Sequence, residues 1–251
     1  WFPVVFEGSK YAVRDVIGDT TVIRYHKPET LRAFYHDWYR TDLQAIAIVG
    51  DVDVDAVEAS VKSLFSKIKA VENPKPRPKY ELQQHADTRF VVATDAEATQ
   101  SQINIYIVQP NNDEKVKTFN DERESYIKAL YNTMSQMRIQ ELLQKGTPPF
   151  VNGYSSRGGF VRGYDVYSFG AAANPNKQAV ALEAIAIETE RIKRYGFTQG
   201  ELDRARTNLI TEMQNQYMQR DKISNESYCS SIVDHFLTKA RLGASFQEHC
   251  A

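Results

Sequence analysis

Cysteine is scarce in this sequence, which contains only Cys229 and Cys250. Two thiols are too few for a disulfide framework or a zinc site built from thiolates, and they do not define the redox compartment. Long apolar runs are missing as well, because no stretch approaches the roughly 20 residues that cross a bilayer. We therefore expect neither a disulfide-stapled scaffold nor a membrane-spanning segment.

Net charge is almost absent too. The 251 residues include 31 Lys and Arg against 32 Asp and Glu, which gives a formal net charge of −1. A dedicated nucleic-acid or anionic-membrane binder concentrates Lys and Arg, whereas here they are scattered among acidic residues. The sequence opens at Trp1 with neither a Met nor a basic-then-apolar leader, so we expect a mature product or an excised fragment.

The residue patterns of common catalytic and metal sites are also missing. No two of the five histidines are three or four residues apart, and no His-x-x-Glu-His occurs, so we expect no catalytic zinc in this chain. A calcium loop starting at Asp51 is excluded because its sixth and twelfth positions hold Ala56 and Lys62. Residues 155–159 lack the Gly-Lys-Ser/Thr end of a phosphate-binding loop.

What the sequence does contain is periodicity. Apolar residues at helical spacing predict helices over 28–38, 54–68, 120–144, 177–195, 198–220 and 224–239. Thr198 and Glu201 form a capping box at the start of one of these helices. Apolar or alternating runs predict strands over 43–49, 89–94, 102–108, 150–156 and 164–173.

The remaining segments are predicted to be irregular. Residues 1–27 show little periodicity and are expected to form an extended leading segment, and the Pro-rich residues 73–78 a stiff connector. Helices and strands alternate without strict βαβ order. The pattern therefore predicts an α+β fold, with a mixed, largely antiparallel sheet and helices packed on one face.

Two groups of residues carry a resemblance to a known family. Phe34-Tyr35-x-x-Trp38-Tyr39-Arg40-x-Asp42-Leu43 is followed by Ile48-Val49-Gly50-Asp51-Val52-Asp53, and later by Tyr195-Gly196-Phe197-Thr198-x-x-Glu201-Leu202-x-x-Ala205-Arg206. The order and spacing of these motifs resemble the M16 zinc peptidases, the pitrilysin, insulysin and processing-peptidase group. The resemblance runs to about Lys239 and implies the LuxS/metallohydrolase-like fold of that family.

The resemblance implies a position within a larger enzyme. Each half of an M16 protein holds two similar α/β subdomains, and the first carries His-x-x-Glu-His plus a distant glutamate. Those residues would lie upstream of Trp1. We therefore expect residues 1–27 to be a linker or tail from that catalytic subdomain, 28–240 the M16 C-terminal-type subdomain of the zinc-bearing half, and 241–251 a tail. Zinc would then be a cofactor of the full-length enzyme, and this chain alone would be inactive.

One departure from the family concerns substrate binding. Active second subdomains of the family often read Glu-Leu-Arg and then, after six residues, Tyr, and this Arg and Tyr help to bind substrate or polarise the scissile carbonyl. Here the two positions hold Leu143 and Phe150, which cannot donate hydrogen bonds. No catalytic residue is therefore expected in this chain. Phe150, Tyr154 and Arg157 are candidates for substrate contact, although packing of the sheet or exposure to solvent explains them equally well.

Three functions remain open from the sequence. The first is a non-catalytic, chamber-forming and substrate-binding domain of an M16 zinc endopeptidase. It would assemble with the zinc-bearing subdomain and a second M16 half, on the same chain or in a partner subunit, and act on peptides in a bacterial periplasm or envelope. The second is a structural or assembly subunit of the same fold without peptidase activity. The third is an independent ligand-binding α+β protein.

Overall fold

The computed structural model describes residues 2–14, 17–111 and 118–238. The chain divides into two compact units, Trp1–Asp95 and Ala96–Ala251. The expected tail over residues 241–251, including Cys250, lies outside the described residues. The domain boundaries expected at residues 27 and 240 stay predictions.

The first unit is helical where it is regular. Its helices are α1 (Phe2–Val5), α2 (Thr20–Tyr25), α3 (Pro28–Trp38) and α4 (Val54–Phe65), with 3-10 turns at Lys10–Val13 and Thr41–Leu43. Helices α3 and α4 confirm two sequence predictions. Pro28 opens α3 with its preset φ, and the Asp53 side chain accepts a hydrogen bond from the Ala56 N–H of α4 at 3.0 Å.

The strand predictions over residues 43–49 and 89–94 are wrong. Neither segment forms a strand in the structure, and Ile46 and Ile48 are half exposed at 49% and 50%. A strand needs a neighbouring strand, and the sheet formed by the described residues includes neither segment. The pattern of apolar residues indicates which side chains share a face, but it does not determine whether another strand lies alongside.

The prediction of an extended leading segment over residues 1–27 is wrong as well, because the described part of it forms short helices and turns. The Asp19 carboxylate accepts hydrogen bonds from the Thr21 and Val22 N–H groups at 2.8 and 3.0 Å, which starts α2. A helix of six residues is too short to show helical periodicity, so the cap was its only sequence signal.

Within its described residues, the second unit combines a sheet with four helices. Along the chain it contains β1 (Ser101–Pro110), α5 (Phe119–Leu143), β2 (Asn152–Val161), β3 (Tyr164–Ala173), α6 (Gln178–Tyr195), α7 (Gln199–Met218) and α8 (Asn225–Thr238). The strand order is β1-β3-β2, and both pairs are antiparallel. The predicted α+β fold is confirmed.

The core of this unit lies between one face of the sheet and helices α5 and α6. It contains Ile139, Phe150, Phe169, Ala171, Ala173, Ala181 and Ile185, with Ile103, Ile105 and Leu143 packed against it. Fully burying an Ile or Phe side chain contributes about 1.5–3 kcal/mol, so this apolar layer holds the helices on the sheet. The expected single-face arrangement of the helices is thereby confirmed.

One arginine ties three helices together. Arg138 of α5 donates through Nε and Nη2 to both carboxylate oxygens of Glu201 in α7, at 2.5 and 2.9 Å, and through Nη2 to the Gly196 carbonyl at 2.9 Å. Its Nη1 lies 3.4 Å from Glu188 of α6, and its guanidinium stacks on the Phe197 ring. Glu201 also accepts from the Thr198 N–H, which completes the predicted capping box. We call these residues the Arg138 clamp.

The clamp makes stability depend on pH. Hydrogen bonding to Arg138 lowers the pKa of Glu201 from 4.5 to about 2, opposed by burial of the carboxylate. A depressed carboxylate pKa contributes stability above the unfolded pKa. We expect Glu201→Gln to lower the free energy of unfolding by about 3 kcal/mol at pH 7, because it leaves the part-buried Arg138 without one of its two charge partners. This decrease in the free energy of unfolding should become smaller as the pH falls from 4.5 towards 2. Urea denaturation of both proteins over this pH range measures it.

The matched control is Glu190→Gln, which removes an exposed carboxylate that pairs with Arg194 on α6. Solvent screens this pair, so little change is expected at any pH. If Glu201→Gln lowered the free energy of unfolding by the same amount at pH 7 and at pH 2, the stabilisation would not be ionic in origin.

Two glycines of β2 provide a test of core packing. A Cβ on Gly153 would lie 2.8 Å from a Phe150 ring carbon and 3.3 Å from a methyl of Ile139, whereas a Cβ on Gly158 would meet nothing within 4 Å. Gly153→Ala should therefore destabilise the protein by about 1–3 kcal/mol through overpacking. Gly158→Ala should change stability by less than about 0.5 kcal/mol. Thermal unfolding of both variants checks this, and equal losses would show that Phe150 is not fixed against Gly153.

Candidate functional site

Of the residues proposed for substrate contact, Tyr154 and Arg157 lie on β2, and Phe150 lies in the connection between α5 and β2. Leu143 ends α5 and packs against the core, and Phe150 lies in the core with 1% of its surface exposed. Both positions at which the family pattern has Arg and Tyr are thus packing positions here. Phe150 cannot contact a substrate from this position, so the candidate contacts are reduced to Tyr154 and Arg157.

Tyr154 lies on the face of the sheet opposite α5 and α6. The strand register places Tyr154, Gly170 and Asn104 in one row across the three strands. The Tyr154 hydroxyl donates to Asn104 Oδ1 at 3.0 Å, over the central glycine. A Cβ on Gly170 would lie 2.6 Å from that oxygen and 3.0 Å from the Tyr154 ring, so the glycine permits the bond.

The environment of Tyr154 holds its hydroxyl in the neutral form. Burial, followed by the neighbouring Tyr106 hydroxyl, raises the pKa of Tyr154 from 10.0 to about 12. In the next row, the Ser156 and Ser168 hydroxyls lie 3.4 Å apart, and the Tyr106 ring is 6.3 Å from the Phe160 ring. This face of the sheet offers neutral hydroxyls and aromatic rings, which suit binding rather than acid–base chemistry near neutral pH.

Arg157 has a fixed backbone and a free side chain. Its N–H donates to Asn132 Oδ1 at 2.8 Å, and its carbonyl accepts from Asn132 Nδ2 at 3.0 Å. The guanidinium is exposed and has no partner among the described residues. Because side chains alternate along a strand, Arg157 and Tyr154 point to opposite faces, so the structure does not unite them in one cluster.

A group of hydroxyls that the sequence did not indicate lies between α5 and the sheet. The Tyr131 hydroxyl donates to the Tyr167 hydroxyl at 3.0 Å, which in turn lies 2.9 Å from Ser155 Oγ. Burial, and then Tyr167, raise the pKa of Tyr131 to about 12. Among the described residues, no histidine or carboxylate forms a hydrogen bond with these hydroxyls, so they form a part-buried polar contact rather than a nucleophile.

The residues that could ligate a metal are dispersed. Among residues 2–14, 17–111 and 118–238, no group of three or more His, Cys, Asp or Glu side chains could hold a metal ion. The described residues therefore do not fit a zinc site, and we derive no zinc-dependent step from them. In the same part of the chain, no helix has the length and apolarity that crossing a membrane requires.

Comparison with known proteins places these features in context. The family described as "Peptidase M16 inactive domain" matches residues 27–209. A protein of Arabidopsis thaliana described as "Zinc protease PQQL-like" is 26% identical over 237 residues, covering 94% of this chain and 22% of that protein. The "Probable zinc protease PqqL" of Escherichia coli K12 is 27% identical over 220 residues, covering 85% and 23%.

Solved structures share the fold. The crystal structure of the periplasmic protease PqqL from Escherichia coli superposes with a TM-score of 0.85 at 21% identity, over 99% of this chain and 27% of that one. The separately solved first half of that protease superposes with a TM-score of 0.84, and this chain covers 53% of it. The chain thus spans under a quarter of the length of the two curated relatives.

The neutral state of Tyr154 can be tested by titration. Tyr106→Phe removes the second cause of the raised pKa and leaves burial in place, so the pKa of Tyr154 should fall below 12 but stay above 10. Stability from the neutral phenol is present below pH 10 and is lost as the pH rises towards 12. NMR of ¹³Cζ-labelled tyrosine measures the shift. Tyr195→Phe, at a 79% exposed position, should not move it. A Tyr154 pKa near 10 in the unmodified protein would contradict the burial.

Proposed function

The chain belongs to the M16 peptidase family, as its inactive domain, and we propose that it forms the chamber wall and binds substrate in a zinc endopeptidase that hydrolyses peptides. The sequence resemblance to M16 is thereby confirmed. The proposal goes further than the family match by giving the domain a role in contacting peptides and a catalytic partner outside this chain.

The packing of Phe150 within the core and of Leu143 against it carries this proposal. Arginine and tyrosine at these positions would present hydrogen-bond donors to a substrate, whereas here Phe150 is in the core and Leu143 packs against it. The domain has converted a donor pair into apolar packing, which removes direct assistance to catalysis. A domain with this change can still confine and orient a peptide while another part of the enzyme performs the hydrolysis.

Zinc enters the proposal as a cofactor of the full-length protein. The described residues of this chain do not fit a zinc site, and the chain spans 22% of a relative described as a zinc protease. We propose that an upstream subdomain with His-x-x-Glu-His binds the metal, and that a second M16 half closes the chamber. The periplasm or cell envelope is the proposed location, since a protein with the same fold is described as periplasmic.

Tyr154 and Arg157 are the proposed substrate contacts of this domain. The Arg157 guanidinium has no partner among the described residues, and Asn132 already holds its backbone, so contact with a peptide carbonyl or carboxylate costs side-chain freedom but little backbone freedom. Tyr154 offers a neutral hydroxyl and a ring. Their opposite faces mean that they contact different parts of a substrate.

The test uses the full-length protein, in which we expect about one zinc per molecule by elemental analysis and cleavage of a fluorogenic peptide. Tyr154→Phe with Arg157→Ala should raise KM about tenfold and leave kcat nearly unchanged, because both residues act in binding. Lys193→Ala, an exposed change on α6, is the control and should alter neither constant.

The outcomes separate the two leading functions. If the full-length protein contained no zinc and cleaved no peptide, even after incubation with zinc, the proposed function would be wrong. The chain would then be part of a structural subunit of the same fold. Normal cleavage with an unchanged KM in the double variant would keep the enzyme and remove these two residues from substrate binding.

A further inference from the structure

A column of side-chain amides runs along one face of α5. Asn132, Gln136, Gln140 and the helix-capping Gln144 follow one another at intervals of four residues. Residues four apart lie one above the other on a helix, so the four amides share a face. An amide both donates and accepts hydrogen bonds, as a peptide group does, so this column can bind polypeptide backbone.

The first two amides of the column already bind backbone. β2 is an edge strand, and Asn132 forms two hydrogen bonds with the outward N–H and carbonyl of Arg157. Gln136 Nε2 approaches the Gly153 carbonyl at 3.5 Å. These side chains occupy the position that a neighbouring strand would take, and so close this edge to strand addition at Arg157.

The other two amides have no such partner. Gln140 and Gln144 are exposed, and neither side chain forms a hydrogen bond within the described residues. With Asn132 and Gln136 they line a cleft of about 910 Å³. Its remaining walls are Thr133, Met137 and Glu141 of α5 and Arg204 of α7. This volume is within the range of ligand-binding clefts in proteins.

We propose that this cleft binds an extended, uncharged segment of the peptide substrate through its backbone, with Gln140 and Gln144 as the contacts. The inference rests on the proposed function and adds a second, sequence-independent subsite to Tyr154 and Arg157. It identifies the ligand as polypeptide backbone rather than a particular side chain.

Spacing supports an extended ligand. Helix residues four apart are separated by about 6 Å along the axis. Alternate residues of an extended chain are separated by about 6.6 Å, so Gln140 and Gln144 can meet alternate peptide groups of such a chain. The small difference between these two spacings is tolerated over two contacts, whereas it adds up over a longer row of contacts.

Charge supports an uncharged segment. Glu141 and Arg204 have opposite charges, so the cleft has no net charge to select a charged side chain. A single arginine among amides is a poor match for a phosphate-rich ligand, which needs several cations. Met137 adds a flexible apolar contact that accepts different side chains.

The experiment measures binding of a fluorescein-labelled, end-capped octapeptide of alternating Thr and Ala to the full-length protein. EDTA is present so that the peptide is not cleaved. We expect the double variant Gln140→Met, Gln144→Met to raise Kd about tenfold, because Met keeps the length and helix preference of Gln but loses its hydrogen bonds. Gln214→Met, an exposed change on α7 outside the cleft, is the control and should leave Kd within twofold.

A second probe tests the role of the backbone directly. The same octapeptide with N-methyl groups on alternate amides lacks half its donors and should bind at least about tenfold more weakly. An unchanged Kd for the double variant, or no binding of the parent octapeptide, would overturn the inference.

The proposed function is judged separately, with Tyr154→Phe, Arg157→Ala in the same assay. If that variant weakens binding and the glutamine variant does not, the subsite is wrong and the proposed function stands. If neither variant affects binding, the glutamine subsite and the two proposed substrate contacts are both wrong.

Discussion

The Arg138 clamp is the constraint on which the second unit depends. Apolar packing is not directional, and it leaves α5 able to slide or rotate over the sheet. A planar guanidinium that donates to both oxygens of Glu201 and to the Gly196 carbonyl fixes distance and rotation together. Ile139, the next residue along α5, is almost fully buried, so the clamp also sets how this helix meets the core.

The fixed rotation of α5 separates its faces by function. One face contributes Ile139 to the core, a second carries Arg138, and a third carries the amide column. Because the helix cannot turn, Asn132 stays within hydrogen-bonding distance of Arg157 in β2. The clamp therefore acts on the candidate site indirectly, by holding the helix whose amide fixes the backbone of the site.

The helices and strands that the sequence predicted correctly are those specified by residues close to one another along the chain. Thr198 and Glu201 are three residues apart and mark the start of α7, and α5, α6 and β3 follow from apolar period. Residues 43–49 and 89–94 carried the same kind of pattern without a paired neighbour. The family resemblance identified Leu143 and Phe150 as replaced, but only packing shows both of them at the core. The Asn132–Arg157 contact joins residues 25 apart, and no periodicity reports it.

The replacement of the family's donor pair and the apolar packing at the end of α5 have one physical origin. A buried hydrogen-bond donor without a partner costs about 1–3 kcal/mol, so an Arg or Tyr at these positions is tolerated only where water or substrate reaches it. With Leu143 and Phe150 the end of α5 is free of that cost and closes over Ile139 and Gly153. Amides and hydroxyls are prominent among the polar groups on this part of the fold, and such groups can form hydrogen bonds with peptide groups without ionising. The proposed role follows from this, because such a surface can hold a chain in place while another domain performs the chemistry.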